Sequence, residues 1–148
     1  MTAYIRHRDA EQRIASAKAA IRAILDADLY KPHLKELLTI CIWKLTLAEG
    51  KSKYKTRYRS TASLDQPTKS LNHEHVIETH KLVQHLIARP SQHDKIASRA
   101  IACVVTRQEH TQLTAISKLQ PEVHGWDRYR EAGIEVLDTK TGEHVPMA

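Results

Sequence analysis

Ile14, Ala17, Ile21, Ile24 and Leu25 recur at spacings of three and four, which puts them on one stripe of a helix over residues 8–27. Alanine at many of the other positions strengthens that helix. A second stripe (Leu34, Leu37, Leu38, Cys41 and Leu45) predicts a helix with Pro32 in its first turn and Gly50 as a left-handed stop. Ile40, Ile42, Trp43 and Leu47 widen its apolar face, so this helix is expected to be the most buried element. Only about five residues separate the two helices, which favours an antiparallel hairpin.

After Gly50 the period changes. Lys51, Lys53, Lys55, Arg57 and Arg59 fall on every second position, with Tyr54, Thr56 and Tyr58 between them. Residues 61–70 read as a loop broken by Pro67. Leu71–Glu78 opens as an extended segment, and a helix over Thr79–Arg89 should stop before Pro90. Ser91 and Asp94 start a further helix, with Ile96, Ala97, Ala100 and Ile101 on its apolar side. Ala102–Val105 is short, apolar and β-branched, as a buried strand requires.

Thr106-Arg107-Gln108-Glu109 has the pattern of a capping box, which predicts a helix from Arg107 to about Leu119 with His110 in its first full turn. Trp126–Ala132 reads as one or two helical turns closed by Gly133, Ile134–Leu137 as a strand, and 139–148 as a turn and frayed tail. Trp126, Tyr129 and Ile134 should fasten this turn to the core. The sum is a helix-rich α+β fold in one domain. It divides into a helical hairpin (1–50), a basic strand or loop (51–70), a central segment (71–119), and a C-terminal helical turn and strand (120–148).

Composition narrows the partners. The chain has 148 residues, 41% of them hydrophobic, which suits one globular domain and argues against wholesale disorder. No apolar run approaches the roughly 18–20 residues of a bilayer span, and the charged N-terminus has no apolar signal-like core. Cys41 and Cys103 stand far apart among apolar residues, as reduced thiols of a cytoplasmic protein would. With four glycines in all and no glycine-rich phosphate loop, a Rossmann or P-loop fold is not expected. A net charge of +6 and a pI near 9.4 favour nucleic acid as the polyanionic partner, ahead of an anionic membrane surface.

If 51–59 were extended, its five cations would form a ridge with a charge every 6.6–6.8 Å or so, roughly one for every two phosphates of a DNA strand. Tyr54 and Tyr58 on the other side would pack on the domain or stack on bases. Arg107 adds a cation at the start of the capped helix. The same alternation would also serve a solvated linker, or an edge strand guarded by lysines.

The densest chemistry lies in Asn72-His73-Glu74-His75-Val76-Ile77-Glu78. On a strand, His73, His75 and Ile77 share one face while Asn72, Glu74, Val76 and Glu78 share the other. Hydrolysis of a phosphodiester is served by a divalent ion and a base that activates water. Glu74 could bind the ion while His75 turns toward the water, and His110 on the capped helix could supply a second ligand.

This order of elements (a strand carrying acid–His, a crossover, a short apolar strand, then a helix with an early histidine) resembles the HNH, or ββα-metal, endonucleases. The resemblance covers residues 71–119. It implies a ββα-metal-like core of short strands, His75 as catalytic general base, Glu74 and His110 as metal ligands, and Mg²⁺ or Mn²⁺ as cofactor, with Zn²⁺ also admissible. It implies DNA, ahead of RNA, as substrate. The sequence departs from the family in using Glu where Asp is usual, in two predicted helices over 79–101, and in lacking a clear counterpart to the residue that orients the base.

Other arrangements of the same residues stay open. Ten histidines in one chain will produce close neighbours by chance, so the cluster could be a polar strand and a helix-cap histidine. His80 and His85 read as helix-surface residues, His124 as part of a turn, and Cys103 as core packing. Two functions therefore compete: a metal-dependent nuclease, and a non-catalytic nucleic-acid-binding or regulatory protein. In either case the N-terminal hairpin would serve as scaffold or homodimer surface; a third reading makes it a protein-docking hairpin.

Overall fold

Helix α1 spans Ala10–Asp26 and α2 spans Lys31–Thr46, and the two pack as the expected hairpin. These and the remaining elements come from a computed structural model that describes residues 4–146. The chain is α+β, with six α-helices and a five-stranded mixed sheet among the described residues. Where the sequence suggests one domain, the contacts gather into two units. One comprises residues 6–49 and 77–101; the other comprises described residues 4–5, 50–76 and 102–146.

The first unit is helical. To the hairpin it adds α3 (Thr79–Ala88) and the short α4 (His93–Ala97), with a 3₁₀ turn at Pro90–Gln92 between them. Ile21, Leu38, Ile42, Leu82 and Leu86 form a core whose members are 0% exposed. Arg13 donates from Nη2 to the carbonyl of Leu47 at 3.0 Å, giving a partner to a backbone group just past the end of α2.

Two expectations for α2 are corrected. Leu37, Ile40 and Trp43 are 38%, 47% and 39% exposed. At about 100° per residue they lie on the side of the helix away from Leu38, Ile42 and Leu45, so only part of an apolar perimeter is used. Gly50 does not supply a left-handed stop: α2 ends at Thr46, Leu47 is still right-handed, and Gly50 is absent from the positive-φ residues. Its missing side chain matters for another reason, because a Cβ there would stand 2.5 Å from the carbonyl oxygen of Lys55.

The second unit is built on the sheet. Its strands are β1 (Tyr58–Ser60), β2 (Leu71–His75), β3 (Ala102–Thr106), β4 (Val136–Asp138) and β5 (Glu143–His144), in the order β2-β3-β1-β4-β5. Strand β3 lies antiparallel to β2 and parallel to β1, while β4 is antiparallel to both β1 and β5. The expected tail is thus partly a strand: Gly142, at φ 78°, turns the chain so that β5 pairs with Leu137 and Asp138.

Helix α5 runs from Arg107 to Leu119 and opens with the predicted capping box: Thr106 Oγ1 accepts from the Glu109 amide, and Glu109 Oε2 accepts from the Thr106 amide. The same carboxylate oxygen accepts from Ser60 Oγ at 2.6 Å, tying α5 to β1. Helix α6 (Trp126–Glu131) packs on α5, and Gly133 at φ 70° follows it as predicted.

Candidate acid–base site

Register decides which side chains can meet. Glu74 pairs with Cys103, and Cys103 pairs with Tyr58, so these three form a row across β2, β3 and β1 on one face of the sheet. Tyr58 meets the ring of Trp126, and Trp126 meets Tyr129, at centroid distances of 5.3 and 5.2 Å. Helices α5 and α6 therefore cover the face that Glu74 occupies. Tyr129 and Leu113 are fully buried there, and burial pushes the Cys103 thiol and the Tyr129 phenol up from their ordinary values. Cys103 is core, as expected.

Glu74 sits on the outermost strand of this row, where one helix residue from each side reaches it. His110 Nδ1 lies 2.5 Å from Glu74 Oε2, and Arg128 Nη2 lies 3.4 Å from Oε1. A carboxylate only accepts, so the imidazole donates from Nδ1 and its Nε2 keeps a free lone pair. Arg128 is 2% exposed, and the same Nη2 donates to the carbonyls of His75 and Val76 at 2.7 and 3.2 Å while Nη1 reaches Ser117 Oγ at 3.2 Å. The side chains grade outward from Arg128 at 2% through Glu74 at 13% to His110 at 44% exposure. One proton-carrying imidazole is therefore presented to solvent, backed by a carboxylate that is backed in turn by a buried guanidinium.

His75, the residue expected to act as base, is not brought to this cluster. It alternates to the opposite face of β2, is 7% exposed, and stacks edge-on to His73 at 5.6 Å. Burial pushes its imidazole down to about 4, with His73 and Arg128 adding to the effect. His73 is also lowered by burial, and its Nδ1 donates to the Lys53 carbonyl at 2.7 Å.

Glu74 and His110, the two residues expected to hold a cation, are brought together, and as placed they contact each other directly. Two ligands of one ion, each about 2.1 Å from it, stand roughly 3 Å or more apart with both lone pairs aimed at the metal. Here the two atoms are bonded to each other through a proton, and the other carboxylate oxygen faces a permanent cation. As placed, the pair shares one hydrogen bond and does not aim two free lone pairs at a common point.

The basic ridge is not formed as one strand. Only Tyr58–Ser60 of that stretch is extended, and 51–55 is turn and bend. Arg57 forks onto Asp138 with bonds of 2.9 and 2.7 Å, and this pairing holds the Asp138 carboxyl below the usual range. Arg59 is 5% exposed and donates to the Ser63 carbonyl at 3.1 Å. Lys51 and Lys53 are exposed, Lys55 is half-buried, and Lys53 lies over the Tyr54 ring. Arg107 is exposed at the first turn of α5, where with Lys69, Gln66 and Gln112 it lines an open depression of about 740 Å³.

Sequence reasoning missed Arg128. Nothing in Trp126-Asp127-Arg128-Tyr129-Arg130-Glu131 separates it from Arg130, which is exposed and pairs with Asp127. No described helix is long and apolar enough to cross a membrane. No family model matches the chain, and no curated protein and no solved structure is significantly similar to it.

Proposed function

We propose that this chain is a nuclease, a hydrolase-like enzyme acting on nucleic-acid phosphodiesters, in which His110 moves the proton and Glu74 orients it. The bond from His110 Nδ1 to Glu74 carries this reading. It selects the tautomer whose Nε2 accepts a proton from an incoming hydroxyl. Arg128 holds the carboxylate in place from behind. The net charge of +6 supplies the attraction to a polyanion, and Arg107, one turn before His110, offers a cation to a phosphate beside Nε2.

A second reading has its own observation. Arg128 bonds to two backbone carbonyls and Ser117 besides Glu74, as a clamp joining β2, α5 and α6 would, and such a clamp would suit a non-catalytic nucleic-acid-binding protein. The two separate in one experiment. Wild type and His110→Ala are incubated with single- and double-stranded DNA and RNA, with EDTA or with Mg²⁺ or Mn²⁺, and both are measured for binding by fluorescence anisotropy. Cleavage by wild type that falls at least about 100-fold in the variant, with binding retained, supports the enzyme. Binding without cleavage in any buffer removes it.

A further inference from the structure

We infer that the substrate strand is RNA and that the attacking group is its own 2′-hydroxyl, an inference resting on the nuclease reading above. The ground is how little proton-transfer machinery the site exposes. Both Glu74 oxygens are engaged, one by His110 and one by Arg128, and its side chain is only 13% exposed. Arg128 is 2% exposed and turned toward interior acceptors. His73 and His75 occupy the other face of β2. What the cluster offers a substrate is the single Nε2 of His110.

A positioned general base contributes about 100- to 10,000-fold. Attack by free water on a DNA phosphodiester asks far more than that, since the nucleophile must be both recruited and activated. An RNA strand carries its nucleophile already placed next to the phosphorus, and well-oriented intramolecular attack brings effective molarities of roughly 10⁵–10⁸ M. A site with one carboxylate-oriented imidazole is matched to the second task.

The step balances without a co-reactant. Nε2 of His110 takes the proton from O2′, and the O2′–P bond forms. The P–O5′ bond breaks, and the departing O5′ takes a proton from water. The products are a 2′,3′-cyclic phosphate and a free 5′-hydroxyl, and the imidazolium returns its proton to solvent. Nothing in the strand is oxidised or reduced. Glu74 acts as a positioning residue, holding the tautomer from behind.

The test uses the full chain and short fluorescent oligonucleotides of one sequence in four forms: all-RNA, all-DNA, DNA with one ribonucleotide, and the same with that ribose 2′-O-methylated. All are incubated in EDTA. The expected result is cleavage of the all-RNA strand, cleavage of the chimera only on the 3′ side of its ribonucleotide, and no cleavage of the other two. Mass spectrometry should show the cyclic phosphate, and His110→Ala should lose at least about 100-fold of the rate. Cleavage of the all-DNA or methylated strand, or His110-dependent cleavage appearing only with a divalent ion, overturns the RNA inference and leaves the nuclease reading in place. No cleavage of any strand, with or without divalent ions, overturns both.

Discussion

The imidazole of His110, 44% exposed, is bonded through Nδ1 to the carboxylate of Glu74, which is only 13% exposed. One partner can touch a substrate and the other cannot, so their substitutions should differ in size and in kind. His110→Ala removes the proton carrier and should cost about 100- to 10,000-fold in kcat. Glu74→Gln leaves an imidazole in place but frees its tautomer and tilt, and should cost about 10- to 100-fold, the usual range for a group acting through another. Steady-state cleavage kinetics with circular dichroism controls check both. Equal losses would place Glu74 in direct contact with the reacting atoms.

Arg128 is a buried charge with several acceptors around it, so its removal should be felt first in stability. Arg128→Met leaves Glu74 without its guanidinium and the carbonyls of His75 and Val76 short of a donor. Breaking a buried pair by deleting one partner costs about 3–5 kcal/mol. Urea denaturation should show a loss of that order. Arg128→Lys should recover less than half of it, because an ammonium cannot reach Ser117, Glu74 and two carbonyls from one planar fork. Full recovery by lysine would mean that charge alone matters there.

The elements were largely legible in the sequence, because they depend on local period and caps. The α1–α2 hairpin, α3 and the capping box of α5 all follow from residues within a turn or two of each other. The partnership of Glu74 with His110 could be suspected, since one residue lies near the end of a strand and the other in the first turn of a helix, but what they do to each other could not. That depends on Arg128, which arrives from α6 and satisfies the carboxylate from behind. The basic alternation misled for a similar reason. Charges two apart look like a ridge until Asp138, on β4, claims Arg57 and burial claims Arg59. Long-range pairing of single polar residues leaves no periodic trace.

His75 should make the folded state sensitive to acid. Its folded pKa, about 4, lies below the ordinary histidine value near 6.5, so the unfolded chain takes up a proton that the folded chain refuses. The stabilisation is full above pH 6.5 and is lost as pH falls from there toward 4. Integrated over that window it amounts to roughly 3 kcal/mol, and His73 shifts in the same direction. Urea midpoints at pH 7 and pH 4.5 should therefore differ more for the parent chain than for His75→Gln, which does not titrate. A variant with the same acid slope as the parent would assign the loss to other groups.

Gly50 gives a test of the backbone independent of any function. Its φ is not positive, so the position does not need glycine for its conformation; it needs the space. A Cβ built there stands 2.5 Å from the carbonyl oxygen of Lys55 and 3.2 Å from that of Ser52. Both are backbone atoms of the turn at 51–55, and the Lys55 amide already bonds to the Ser52 carbonyl at 3.0 Å, so they cannot swing aside as a side chain would. Relief has to come from displacing the turn that carries Lys51, Lys53 and the Lys53 carbonyl bonded by His73. Overpacking of this kind costs about 1–3 kcal/mol. Gly50→Ala should thus lower the urea midpoint and perturb the His73 imidazole resonance, while the resonances of the α1–α2 hairpin core stay where they are. A neutral Gly50→Ala would show that the turn at 51–55 yields freely, and its bond to His73 would then lose its claim to hold that segment.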